Sequence, residues 1–582
     1  MKSTLRAIAA LAAAGVAGIA LPAAADDVPF ERLLNPEPEN WLRDHQNYSN
    51  WRHSPLTQIS TDNVADLEIK YIFSLGGRAT GGTLAGKEEG TILADNGFLY
   101  TIDSWHRVQK WDVTSGTAAI PLWRYNPEIT KSRTTRGVAL LNDGVFVSTN
   151  DTRIARLNQE TGEVVWEIQA AAPTDPVTGT PSPDTQGFTA APTTLRTAAG
   201  RELVLQGEST GGQRGTRSWV GAWDVETGEL AWRFFTIPAP GEPGSETWKD
   251  DHDAWRVGGG GVWQTPTFDP PTNLVVYGTG DAFPSYDPEY RPGDNLFTAS
   301  TIALNVDTGE LAWYFQETPN EQFDFDTPNP RILYELNGRQ VISDFSRNGH
   351  VYTLDRATGE FITAVQYNTQ VTWTAGIDPK TGRPVDYNPE TGVQKYAGVG
   401  PQRGVNIVGE MCPAWGGNPI FFPPAFNPDT RSMYAIGGDG CQYSSTHLQV
   451  WREGNVNAIG LGTGLTTVYG DPSEPLTGMI WRYDVDATTV QMGAQRPGIE
   501  PESGMLSTAG GLVFAGWPNG DYAAYDAESL DELWKMNVGM EITAPGSSFS
   551  VNGEQLVAVV AGGDGNGLLQ RGAVVVVFGL DN

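Results

Sequence analysis

The sequence predicts an all-β fold, an eight-bladed β-propeller whose blades dock through tryptophan. Three observations carry that prediction: a recurring strand–turn–strand phrase, the spacing of its copies, and the composition. IARLNQETGEVVW ends at Trp166, VGAWDVETGELAW at Trp232 and TIALNVDTGELAW at Trp313. Weaker copies are VQKWDVTSGTAAIPLW (to Trp123), VYTLDRATGEFIT (to Thr363), IWRYDVDATTVQM (to Met492) and YAAYDAESLDELW (to Trp534). In each, an alternating apolar strand reaches an Asp or Asn, a turn reverses the chain, and a second strand follows. The spacing of roughly 45–80 residues fits four-stranded blades, with the excess in Pro/Gly-rich inserts at roughly 234–300, 364–425 and 450–478. The repeated Trp reads as structural, a large flat ring filling the gap between neighbouring blades. Seven copies, with an N-terminal segment closing the ring, make eight blades. The 69 Gly, 39 Pro and 19 Trp, with 18% charged residues, suit many short strands rather than long amphipathic helices.

The elements follow in chain order. Residues 1–25 read as a secretory signal peptide. Lys2 and Arg6 precede an apolar, alanine-rich stretch, and Ala23-Ala24-Ala25 supply a small-residue cleavage site. The expected product is a soluble, exported, periplasmic protein with residues 26–582 as one propeller domain. No later run approaches the ~18 uninterrupted apolar residues of a membrane span. A formal charge of −31 excludes nucleic acid as a partner, because no basic surface displaces phosphate counterions. Cys412 and Cys441, an even pair in an exported chain, point to one disulfide. No CxxCH occurs, so the chain carries no c-type haem of its own. The six scattered histidines show no zinc-site spacing.

The stretch FQETPNEQFDFD places two carboxylates, Asp324 and Asp326, one residue apart. In an extended chain both point to one face, where like charges repel unless water, a cation or a proton separates them. Trp263 follows four glycines, which free the backbone and leave a large flat surface exposed; the alternative is one more docking tryptophan, but Trp263 lacks the turn that precedes the others.

At these residues the chain resembles the pyrroloquinoline quinone (PQQ) dependent alcohol dehydrogenases. NYSNWRHSPLTQISTDNVADL is similar to the family's N-terminal signature, and ETWKDDHDAWRVGGGGVWQT, YGTGDAFPSYDPEYRPGDNLFT, WYFQETPNEQFDFD, FSRNGHVYTLDRATGE, MCPAWGGNP and GMLSTAGGLVFAGWPNGDYAAYD follow in the family's order. The resemblance spans nearly the whole chain beyond residue 25. It implies PQQ on the propeller axis beside one metal ion, calcium or a light lanthanide. It makes Trp263 the floor on which the tricyclic cofactor stacks. Arg136 and Arg347 become cofactor-contacting cations; a planar guanidinium suits carboxylate binding. Glu89 and Thr189 match cofactor-binding positions, as does Asn418 across a one-residue length difference. Asp324 matches the base that takes the hydroxyl proton, with Arg347 beside it. Cys412 and Cys441 match a family disulfide.

The chain departs from the family's pattern in three places. The segment ITKSRTTRG has no cysteine where many members carry a vicinal disulfide. Asp281 stands in GTGDAFP at the family's metal-ligating Asn. Glu208 in QGEST is the candidate for the family's Glu ligand across an insertion; otherwise no carboxylate occupies that position. Asp326 adds an acidic residue that in this family often accompanies lanthanide use. Asp281, Asp324, Asp326 and Glu208 are thus the candidate metal ligands, and oxygen donors at that density suit a hard cation.

The expected function is oxidation of an alcohol to the aldehyde or ketone, with a sugar alcohol or another bulky alcohol as substrate. Electrons pass to a separate soluble cytochrome c, since no haem domain is fused. The rival is a non-catalytic propeller serving as an assembly or interaction scaffold, which needs none of Trp263, Asp324, Asp326 or Arg347.

Overall fold

The computed structural model describes residues 27–77, 87–130, 133–174, 176–177, 179, 186–209, 216–256, 258–396, 407–414, 419, 422–446, 466–469, 476–562 and 572–581. The proposed signal peptide and Asn418 lie outside the described residues. Eight sheets of four or five strands form the propeller, and in seven of them the four blade strands run in chain order from an innermost to an outermost strand. We number the blades by their innermost strands. Blade 1 starts at Leu93–Asp95, blade 2 at Ala139–Leu141, blade 3 at Thr193–Arg196 and blade 4 at Thr267–Asp269. Blade 5 starts at Ile332–Leu336, blade 6 at Ala425–Asn427, blade 7 at Leu506–Thr508 and blade 8 at Ser547–Val551. The ring closes as expected: Leu67–Gly77 pairs antiparallel with Gly572–Leu580 and completes blade 8 from the other end of the chain. No helix among the described residues is long and apolar enough to cross a membrane.

Each sequence repeat is the outer hairpin of one blade. In blade 3 Asp224 Oδ1 accepts the backbone N–H groups of Glu226 and Thr227, each at 3.0 Å, and the hairpin register shifts beyond this turn. Asn305, Asp355, Asp484 and Asp526 cap the same turn in blades 4 to 7. The side-chain oxygen satisfies amides that the turn leaves unpaired, which explains the fixed Asp or Asn.

The tryptophans dock as expected. The indole N–H of Trp232 donates to Val306 O of the next blade (2.7 Å), that of Trp166 to Val225 O (3.0 Å) and that of Trp534 to Leu67 O (3.0 Å). The turn glycine of the following blade gives the Trp166 and Trp232 rings their seat, Gly228 for the first and Gly309 for the second. A Cβ on Gly309, whose φ is +74°, would meet the Trp232 ring at 2.6 Å.

The N-terminal signature is an axial plug. Tyr48 Oη donates to Thr194 O of blade 3, Asn50 Nδ2 to Thr267 Oγ1 of blade 4 and Trp51 Nε1 to Leu333 O of blade 5. Phe426 N of blade 6 donates to Trp51 O, and His53–Ser54 pairs parallel with the innermost strand of blade 7. Arg52, fully buried, donates to Asp44 O, Met505 O and Gly546 O. One segment thus binds the inner edges of six blades, offsetting the buried carbonyls that an open channel would leave unpaired.

Candidate active site

The candidate residues fall on one end of the ring by a simple rule. Glu89, Arg136, Thr189, Trp263, Asp324 and Asp326 each lie three to eight residues before the innermost strand of blades 1 to 5. Glu208, Asp281 and Arg347 follow the second strand of blades 3, 4 and 5. Crossovers between blades and the central turn within each blade open on the same end of a propeller, so the topology brings both sets together.

Arg136 is the hub of the first group. Its guanidinium pairs with Glu89 Oε2 at 2.8 Å and donates to Thr189 Oγ1 and Trp263 O, each at 3.0 Å. It also lies 5.4 Å from the centre of the Trp263 ring. Four residues proposed as cofactor contacts thus meet in one network. Thr189 is further held by Ser209, whose Oγ accepts its N–H and its hydroxyl, each at 3.0 Å. Nothing in the sequence pointed to Ser209.

The four glycines before Trp263 do a different job from the one expected. They let the backbone pass tightly against its neighbours, and Trp263 is half-buried rather than laid bare. A Cβ on Gly259, at φ +118°, would meet Asp281 O at 2.4 Å. The close approach lets Gly260 N donate to Asp281 O and Gly280 N to Gly261 O, each at 2.8 Å. Trp263 and Asp281 are thereby fixed to one another through backbone.

The second group is the carboxylate cluster. Asp281, Asp324 and Asp326 each present an oxygen within 4.8 Å of the other two. Asp326 Oδ1 accepts Asp281 N–H at 2.8 Å, and Arg347 Nη1 faces Asp326 Oδ2 at 3.0 Å and Asp324 Oδ1 at 3.5 Å. Tyr286, which the sequence did not single out, donates its hydroxyl to Asp324 Oδ2 at 3.2 Å.

The aspartates do not share a face as alternate residues of a strand. Asp324 sits in a loop at φ +64°, in the left-handed region, and that turn brings its carboxylate toward Asp326. Glu321, also missed in the sequence, braces the turn. Buried, it accepts the N–H groups of Phe323 at 2.5 Å and Phe325 at 2.9 Å with one oxygen, on either side of Asp324.

The electrostatics ask for a cation. The Asp324 and Asp326 side chains keep 23% and 14% of their surface exposed, but the protein around them is dense. Burial pushes Asp324 up to about 8, against the pull of Arg347, and raises Asp326 for the same reason. Asp281 is raised well above the usual carboxylate range by burial, then by the charges of Asp324 and Asp326. Its Oδ2 is buried without a hydrogen-bond partner. An orphaned carboxylate oxygen beside two more carboxylates fits a hard, oxygen-preferring cation. Glu208 lies outside the set of three. It is fully buried, and its Oε1 stands 3.4 Å from Gly187 N. Cys412 and Cys441 form the expected disulfide.

Comparison with known proteins identifies the family and the fold. The family profile for the PQQ "Glucose/ethanol/alcohol dehydrogenase, beta-propeller domain" matches residues 41–376. Quinohemoprotein alcohol dehydrogenase ADH IIB of Pseudomonas putida is 33% identical over 573 residues, covering 93% of this chain and 76% of that protein. Quinoprotein alcohol dehydrogenase PedH of Pseudomonas putida is 30% identical, over 88% of this chain and 84% of its own. Among solved structures, the quinohemoprotein alcohol dehydrogenase of Comamonas testosteroni superposes with TM-score 0.80 at 27% identity, covering 95% of this chain and 82% of that one. A europium-containing methanol dehydrogenase also reaches 0.80, at 25% identity over 94% and 100% of the two chains.

Proposed function

The chain belongs to the PQQ-dependent alcohol dehydrogenases, and on that premise we propose that it oxidises a sugar alcohol or another bulky alcohol to the carbonyl and passes the electrons to a separate cytochrome c. The observation that carries the site reading is the meeting of Asp281, Asp324, Asp326 and Arg347 at one end of the axis, tied through backbone to Trp263. A non-catalytic scaffold has no need of it, and the relatives spanning most of the chain are named alcohol dehydrogenases.

Trp263 would carry the cofactor's flat face, and Arg136 and Arg347 would meet its anionic groups. Thr189 and Glu89 fix the Arg136 guanidinium so that binding need not order it. Asn418 is assigned to the same group. Asp281, Asp324 and Asp326 would hold the ion, calcium or a light lanthanide. Bound PQQ supplies the hydride acceptor, and the ion polarises it.

This chain's own contribution is proton chemistry and orientation. With a cation beside it, Asp324 would stay ionised despite its burial, ready to take the substrate hydroxyl proton. Tyr286 occupies Asp324 Oδ2 and so leaves Oδ1, on the Arg347 side, for the substrate. The formal charge of −31 suits docking of a basic cytochrome. The N-terminal pattern around Lys2, Arg6 and Ala23–Ala25 supports export to the periplasm.

The test is reconstitution of the apo-protein with PQQ plus calcium or PQQ plus lanthanum, following dye reduction by methanol, long-chain alcohols and sugar alcohols. Turnover favouring the bulky alcohols is expected; methanol as the best substrate overturns the substrate assignment. Asp326→Ala should reduce the lanthanum-dependent rate more than the calcium-dependent one, and Glu208→Gln tests for a fourth carboxylate ligand.

A further inference from the structure

The crossover from blade 5 to blade 6 does not run straight. After the outermost strand Phe361–Gln366 it folds back over the site end, and its buried core is Trp373. The Trp373 ring centre lies 5.9 Å from Phe323, 5.7 Å from Phe325 and 5.3 Å from Tyr396. Phe323 and Phe325 are the two chain neighbours of Asp324, so Trp373 grips the base from both sides. Its indole N–H donates to Asn348 O at 2.8 Å, one residue past Arg347.

The rest of the insert anchors this side chain. Tyr396 donates its hydroxyl to Pro319 O, Gln394 N donates to Asn320 Oδ1 at 3.0 Å, and Tyr387 Oη donates to Asp294 Oδ2 at 2.7 Å. The insert is therefore fastened to the loop that carries Asp324 and to the Asp294 segment that precedes it.

We propose that Trp373 is a positioning residue that sets Asp324 and Arg347 relative to one another, and so holds the metal-binding aspartates in register with the arginine. The inference rests on the reading of Asp324 as base and ligand given above. Asp324 stands in a backbone conformation that a non-glycine residue adopts only when its surroundings impose it. Glu321 fixes the flanking amides, but nothing in that contact fixes the flanking rings, and Trp373 does. The same indole ties down the Arg347 turn, so one side chain sets both partners of the 3.5 Å contact.

Two variants of the full chain separate this role from plain core packing. Trp373→Phe keeps a ring against Phe323 and Phe325 but loses the bond to Asn348 O. Trp373→Leu loses both. Three readouts apply: kcat and KM of the reconstituted enzyme, lanthanum affinity of the PQQ-free protein, and the europium luminescence lifetime, which counts water on the bound ion. Trp373→Leu should lower kcat about 100-fold with KM within about twofold, because a misplaced base fails in the transition state rather than in binding. It should weaken lanthanum binding about 10-fold or more and admit extra water to the ion. Trp373→Phe should keep metal affinity and lose about 5–10-fold in kcat through Arg347 alone.

Trp534→Phe, at a docking ring remote from the site, is the control for general loss of stability. Equal effects from Trp534→Phe and Trp373→Phe overturn the proposal, as does unchanged kcat and metal affinity in Trp373→Leu. If Trp373→Leu does not fold, Trp373→Phe decides alone. Wild type that binds no ion and turns over no alcohol sinks the reading of the site itself, whereas active wild type beside unaltered variants sinks only the role of Trp373.

Discussion

Acidic residues at the rim of the propeller and at its site end do opposite work. Asp224, Asp355 and Asp526 recur at one place in the outer hairpins, each accepting backbone N–H groups of its own turn at about 3 Å, close to water. Their charge is satisfied where it stands. Asp281, Asp324, Asp326 and Glu321 occur once each, are crowded together and are all raised in pKa, first by burial. The rim acids stabilise a fold that could carry many functions. The site acids cost stability in the absence of a cation, and that cost is what selects the ligand.

The largest effect that would break this contrast is at Asp324. Asp324→Asn keeps the shape and the Tyr286 contact but cannot take a proton. Turnover should fall by about 10³-fold or more, while PQQ stays bound through Trp263 and Arg136. Single-turnover dye reduction and the PQQ content of the purified variant measure the two halves separately. Retained activity would place the base elsewhere and reduce the cluster to a metal site.

The contrast also explains what was legible in the sequence. The rim is periodic, so the capping Asp or Asn and the docking Trp declared themselves by repetition, as did the eight blades. Of the site residues, Trp263 behind its glycines and the pair in FDFD were visible as departures from that period, whereas Glu89, Arg136, Thr189, Asp281 and Arg347 came only from the resemblance to the family. What stayed hidden has no period and no local chemistry of its own. Glu321 and Tyr286 matter only because Asp324 adopts a left-handed turn, which a reading of alternating strand faces does not foresee. Trp373 lies in an insert whose pattern matches no blade, and its partners are distant in sequence. The plug was legible as a signature, but its work, hydrogen bonds to six blades, is purely tertiary.

A rim substitution sharpens the comparison from the other side. Gly309→Ala forces a side chain into a backbone at φ +74° and against the Trp232 ring. The left-handed strain and the clash together should cost about 2–4 kcal/mol. The expected outcome is a lower Tm with kcat and metal affinity unchanged, because the docking rim does not touch the site. A fall in kcat per folded molecule would show that blade docking and site geometry are coupled.

The smallest effect separates two adjacent acids at the site end. Glu89 is paired with Arg136, whereas Glu88 has no ion-pair partner among the described residues and accepts the Ser104 N–H. Burial, then the charge of Asp103, pushes Glu88 up to about 8. The folded protein therefore holds a proton on Glu88 that the unfolded chain, titrating near 4.5, has already lost. The stability this contributes is complete below about pH 4.5 and disappears as pH rises through about 8. Glu88→Gln makes the neutral form permanent. Wild type and variant should melt within about 1 kcal/mol of one another at pH 5, and at pH 9 the variant should be the more stable by about 1–3 kcal/mol. Thermal melts across that range give the difference directly. Parallel curves would mean that Glu88 keeps its charge in the fold, and that burial at the site end is offset without a ligand.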